Sequence, residues 1–120
     1  MPHGPRFQKR VADAKAHVRE LTPAEAAEQQ RSGGTLIDVR ESEEFQKGHA
    51  AKALHLSKGV IEWKIEEHIS DPNATILCYC GGGSRSVLAA ESLQKMGYTN
   101  VFSVSGGYAA WQKANLPTET

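Results

Sequence analysis

A chain of 120 residues has room for one domain with its own core and not for two. Its 14 Lys and Arg balance 14 Asp and Glu, so no field of one sign draws it to nucleic acid or to an anionic membrane. No apolar run approaches bilayer length, no apolar stretch of signal-peptide length opens the chain, and a cytoplasmic protein is expected.

The first predicted element is an amphipathic helix over residues 7–18, with Phe7, Val11, Ala14 and Val18 at helical spacing and Arg6, Lys9, Arg10, Asp13 and Lys15 around them. It is read as an extension, residues 1–17, ahead of a main domain over 18–120, and it lies either on that domain's own surface or against a partner. Thr22-Pro23 then starts a helix, with an N-cap hydroxyl and proline at the first helical position. Ser32-Gly33-Gly34 ends it.

Residues 35–39 form an apolar, partly β-branched strand with Asp38 and Arg40 at its end. A short helix is expected over 41–46 and a brief strand over 53–56. Val60, Ile61, Ile65 and Ile69 mark a helix over 60–69. Trp63 on that helix is assigned to core packing, with the rim of a pocket as its other reading. A strand follows over 75–79, a helix over 84–96 closed by Gly97, a strand over 100–104, and a last helix over 108–114 that Tyr108 and Trp111 pack down. Strands and helices thus alternate, which predicts an α/β fold with a mostly parallel sheet, helices on both faces, and ligands at the carboxyl ends of strands.

The chemistry concentrates in Cys78-Tyr79-Cys80-Gly81-Gly82-Gly83-Ser84-Arg85-Ser86, between a strand and a helix. Cys80 stands at the strand's carboxyl end. Gly81, Gly82 and Gly83 let the backbone curl, so that several N–H bonds can point inward as an anion cradle. The helix starting near Ser84 adds its positive end. This is a setting for a reactive thiolate. Arg85 serves either to attract an anion or to fix the loop through a salt bridge. Cys78 lies two residues back on the same face and deeper, as core. The two cysteines are too close for an unstrained disulfide and are read as free thiols. Asp38 and Arg40, at a neighbouring strand end, are read as a structural pair before a substrate contact. The five histidines are scattered, and His49 and His55 are read as structural, so neither a metal nor a cofactor is expected.

Three segments resemble the rhodanese family over about residues 21–117. Leu36-Ile37-Asp38-Val39-Arg40 with Glu44-Phe45 and Gly48-His49 is similar to its first signature, residues 79–86 to its active-site loop, and Val104-Ser105-Gly106-Gly107-Tyr108-Ala109-Ala110-Trp111 to its C-terminal signature. The resemblance implies a rhodanese-like fold with a five-stranded sheet, and Cys80 as the residue that becomes a persulfide. Its donor would be a small sulfur compound such as thiosulfate or a persulfide. Its acceptor would be cyanide or a thiol, including a protein thiol. Gly81, Gly82, Gly83, Ser84 and Arg85 would line the substrate cradle. The chain departs from the family at Ala50, where isoleucine is common, at Lys52, where glycine is, and at Ser105, a place often acidic or small.

Two other functions fit this framework. Related phosphatases use a cysteine in an anion-binding loop, but theirs is one residue longer than the six from Cys80 through Arg85, and a tighter ring suits sulfur. Non-catalytic rhodanese-like modules usually lack the cysteine or the glycines, and both are present here.

Overall fold

A computed structural model describes residues 3–120. Its elements in chain order are α1 (Pro5–Lys15), β1 (Arg19–Leu21), α2 (Pro23–Arg31), β2 (Thr35–Asp38), α3 (Ser42–Lys47), β3 (His49–Ala50), β4 (Leu54–His55), α4 (Ile61–His68), β5 (Ile76–Tyr79), α5 (Ser84–Lys95), β6 (Val101–Val104), α6 (Gly107–Lys113) and β7 (Thr118–Glu119). Five strands form one parallel sheet in the order β1-β6-β5-β2-β4. The short β3 and β7 pair antiparallel beside it.

The alternation of side chains along each strand divides the core in two. Ile76, Cys78 and Cys80 face one layer with Val11 and Ala14 of α1, Ile61 and Ile65 of α4, and Val87, Ala90 and Leu93 of α5. Leu77 and Tyr79 face the other, with Ala26 and Ala27 of α2 and Trp111 of α6. β5 is therefore buried on both faces, and its carboxyl end delivers Cys80 to the middle of the sheet's edge.

Helix α2 starts as its sequence predicts: Thr22 accepts from the Glu25 N–H, and the Glu25 carboxylate accepts from the Thr22 N–H. Helix α1 packs on its own domain, with Val11 and Ala14 buried and Arg10 Nη2 2.7 Å from Glu91 Oε1 of α5. Residues 1–2 of the expected extension lie outside the described residues. Among the described residues no helix is long and apolar enough to cross a membrane.

One expectation is overturned. Trp63 is 74% exposed and lines neither core nor site. The inward stripe of α4 is carried by Ile61 and Ile65, and Trp63 falls two residues from each, on the opposite side of the helix. The imidazoles, by contrast, stack on Phe45, with His49 Nδ1 donating to the Phe45 carbonyl at 2.8 Å and His55 Nε2 to the Arg40 carbonyl at 2.9 Å. Lys52 has a φ of 65°, the left-handed conformation that favours the glycine common at that position.

Candidate active site

The strand-to-helix turn after β5 leaves α5 without an ordinary cap. Its N-cap is Gly83, at φ +105°, which has no side chain to receive the first free N–H groups. Cys80 supplies the acceptor instead. Its Sγ receives the Gly83 N–H at 3.1 Å and the Ser86 N–H at 3.4 Å, and lies 3.5 Å from Ser86 Oγ. The sulfur thus caps the twelve-residue α5, where backbone donors and the positive helix end complement negative charge. Behind it, the Ser86 and Ser103 hydroxyls are 2.8 Å apart and fully buried.

The loop is clamped from two sides. Arg85 donates through Nη1 and Nη2 to the two carboxylate oxygens of Glu44, at 2.8 and 3.1 Å. Glu44 also closes the capping box of α3 by accepting from the Glu41 N–H. The Arg85 hydrogen bond, with lesser help from that N–H, holds the Glu44 carboxyl well below its ordinary range, at about 2. The same hydrogen bond raises Arg85.

The second clamp is the start of α6. Tyr108 N–H donates to the Cys80 carbonyl at 2.7 Å and Ala109 N–H to the Gly81 carbonyl at 3.2 Å. The contact needs glycine: a Cβ on Gly107 would lie 2.4 Å from the Cys80 carbonyl oxygen. With its carbonyls drawn outward, the loop can turn N–H groups toward the sulfur.

A cavity of about 330 Å³ opens on this sulfur, lined by His3, Phe7, Cys80, Gly82, Ser84 and Arg85. Cys80 is only 1% exposed, so its sulfur is approached through that cavity. Gly81 lies under the Arg85 guanidinium, with room there for no more than a tight Cβ contact at 3.2 Å. Cys78 lies on the same strand face, but burial and the neighbouring Cys80 push its thiol up to about 12, where it stays protonated at neutral pH.

Asp38 and Arg40 do not line the cavity. They pair with each other, Nε to Oδ1 at 3.0 Å and Nη2 to Oδ2 at 2.8 Å. Tyr79 Oη donates to Asp38 and accepts from the Ala50 N–H, Arg40 Nη2 donates to the Gly48 carbonyl, and the Arg40 guanidinium sits 4.5 Å over the Tyr108 ring. The network ties β2, β5 and β3 together and satisfies its own charges.

Glu44 and Gly107 stand in segments that resemble the family's signatures, but the sequence does not show that they or several other residues of the site meet the loop. Glu44, Ser103 and Gly107 reach it through the fold, across 41, 17 and 27 positions of chain from Arg85, Ser86 and Cys80. Ser86 carries a local signal, since it stands at the third position of a helix whose cap has no side chain. His3 and Phe7 come from α1 and the residues just before it, which nothing in the sequence connects with Cys80.

Comparisons with known proteins agree with this architecture. A rhodanese-like domain family model matches residues 22–114. The thiosulfate sulfurtransferase GlpE of Haemophilus influenzae is 36% identical over 85% of this chain and 95% of its own length. That of Actinobacillus succinogenes is 38% identical over 84% and 90%. Among solved structures, the polysulfide-sulfur transferase homodimer of Wolinella succinogenes matches with a TM-score of 0.82 and 28% identity, over 95% of this chain and 87% of that one. A protein from Rhodopseudomonas palustris, described as of unknown function and a possible tyrosine phosphatase, matches with a TM-score of 0.83 and 28% identity over 99% of both chains.

Proposed function

The chain belongs to the rhodanese-like domain family, and on that premise we propose that it is a sulfurtransferase which carries a sulfane sulfur on Cys80. The observation that carries this reading is the sulfur's position as the cap of α5, with two backbone N–H donors at 3.1 and 3.4 Å and a cavity in front of it. The catalytic unit is residues 18–120, with residues 1–17 an added segment that carries α1.

In the first half-reaction the Cys80 thiolate attacks the outer sulfur of the donor. With thiosulfate, a sulfur–sulfur bond forms on Cys80, the donor's own sulfur–sulfur bond breaks, and sulfite leaves with the bonding pair. In the second, a thiolate or cyanide takes the terminal sulfur and returns Cys80 as thiolate. No electron or proton is left over, and the two halves predict ping-pong kinetics. The Gly83 and Ser86 amides already point at Cys80 Sγ, and in the second half-reaction, where that sulfur is the leaving group, they stabilise the negative charge returning to it without reorganising. Gly81, Gly82, Gly83 and Ser84 shape the cradle, and Arg85 acts by fixing it to Glu44. Cys78 and Cys80 are free thiols, in keeping with a reducing, cytoplasmic setting.

The likeness to the possible phosphatase supports a second reading, phosphate-ester hydrolysis by the same cysteine. Against it stand the six-residue loop and an arginine already engaged by Glu44. One assay separates these readings: initial rates with thiosulfate and a thiol acceptor beside rates with an aryl phosphate. Sulfur transfer with no phosphate release is expected. Robust phosphate release without sulfur transfer would overturn the proposal, and inertness toward both would favour a binding module.

A further inference from the structure

The cavity over Cys80 has two walls of different origin. One is the active loop, through Gly82, Ser84 and Arg85. The other is the N-terminal end of the chain, through His3 and through Phe7 of α1, and α1 lies wholly outside the residues 22–114 that match the family model. This second wall is fixed in place. The His3 and Phe7 rings meet edge to face at 4.9 Å, Gln8 Nε2 donates to the His3 carbonyl at 2.8 Å, and α1 is held to α5 through Val11, Ala14 and the Arg10–Glu91 pair.

What this wall offers is apolar surface rather than charge. Among the described residues, Arg85 is the only lysine or arginine lining the cavity, and both ends of its guanidinium fork are engaged by Glu44. At about 330 Å³ the cavity is in the size range that accepts an organic ligand, far more than an inorganic thiosulfate ion fills. A second depression of about 180 Å³ shares His3, Phe7 and Ser84 with it and continues along α1 past Val11 to Lys15. A reactant with a flat or branched apolar body could therefore place its sulfur at Cys80 and its body against the Phe7 ring.

We propose that Phe7, buttressed by His3, is a specificity-determining wall that favours sulfane-sulfur donors with an apolar organic body over inorganic thiosulfate. The proposal rests on the sulfurtransferase reading above. For an aryl thiosulfonate, the Cys80 thiolate takes the outer sulfur, the bond between that sulfur and the sulfonyl sulfur breaks, and the aryl sulfinate leaves with the electron pair.

The test compares kcat/KM for benzenethiosulfonate and for thiosulfate, with one thiol acceptor, in the wild type, Phe7→Ala and Phe7→Leu. The wild type should favour the aryl donor. In Phe7→Ala the ratio of the two constants should fall about tenfold, equivalent to about 1.4 kcal/mol, mainly through KM for the aryl donor. Phe7→Leu keeps an apolar side chain on α1 but loses the ring face, and should lower the ratio only about threefold. A wild type that favours thiosulfate, or a ratio unmoved by Phe7→Ala, would overturn the wall while leaving the enzyme standing. A wild type that transfers sulfur from neither donor would sink the underlying function instead.

Discussion

Two neighbouring strands of one sheet end side by side and are finished in opposite ways. At the end of β2, Asp38 and Arg40 are 0% and 6% exposed, joined to each other, to Tyr79 and to the Gly48 carbonyl. Nothing there is left to bind. At the end of β5, the Cys80 sulfur is held by backbone N–H groups and faces a cavity that can admit a second sulfur. The same topological position thus makes a brace in one case and the proposed reaction centre in the other. What decides is whether the charged or nucleophilic group meets a full set of partners within the protein or an incomplete one.

The largest expected effect separates the two ends directly. Cys80→Ser should lower sulfur transfer at least roughly a thousandfold, since a nucleophile that forms the covalent intermediate has no substitute, while a thermal melt shows a folded protein. Cys78→Ser, on the same face two residues earlier, should keep the activity. Gly107→Ala tests the loop's clamp: with a Cβ placed 2.4 Å from the Cys80 carbonyl oxygen, the loop must shift, and a displacement near 1 Å costs about a hundredfold in rate. Steady-state rates measured well below the melting temperature would show it. Full activity in Gly107→Ala would mean that the α6 contact does not set the loop.

The brace should respond in stability rather than rate. Asp38→Asn leaves Arg40 buried beside a neutral partner, and breaking one side of a buried pair costs about 3–5 kcal/mol, readable by denaturant unfolding. Turnover per folded molecule should stay within a few-fold of wild type. A selective collapse of turnover in folded Asp38→Asn would make the β2 end part of the site and dissolve the contrast.

Glu44 joins both regions, and acid should expose it. Its folded-state value of about 2 lies below the ordinary 4.5, so the unfolded chain binds the extra proton first. The stability it contributes is fully present above about pH 4.5 and is lost as pH falls toward 2. Because its side chain is 39% exposed, that contribution is at most about 1 kcal/mol. Glu44→Gln should flatten this part of the acid-unfolding profile and slow transfer by about tenfold or less, as one charge-assisted clamp of the loop is weakened. The smallest effect is expected at Lys52→Gly, which relieves a left-handed φ of 65° and should raise stability by about 1 kcal/mol without touching the rate.

The longer elements are legible in the sequence because their signals are local. A threonine cap and the proline after it announce α2, an apolar β-branched run announces β2 and β5, and the glycine run beside Cys80 marks the turn into α5. The strands that sequence reasoning misses are those with no pattern of their own. Arg19–Leu21 is a short polar edge strand that exists through its pairing with β6, and His49–Ala50 and Thr118–Glu119 are two-residue strands that form only because the fold brings them together. The site divides in the same way. Cys80 and its glycines are contiguous in sequence, whereas Glu44, Ser103, Gly107 and Phe7 meet them only after long stretches of chain have folded back. Trp63 defeats a reading by residue type, because a large aromatic ring suggests burial while Ile61 and Ile65 already occupy the inward side of its helix.

The most direct measurement is intact mass with peptide mapping after incubation with thiosulfate alone. The protein should gain one sulfur atom, located on Cys80 and absent from Cys78, and lose it on addition of a thiol or cyanide. A protein that gains no sulfur, or carries it on Cys78, would contradict the claim that the capped thiol at the end of β5 is the carrier.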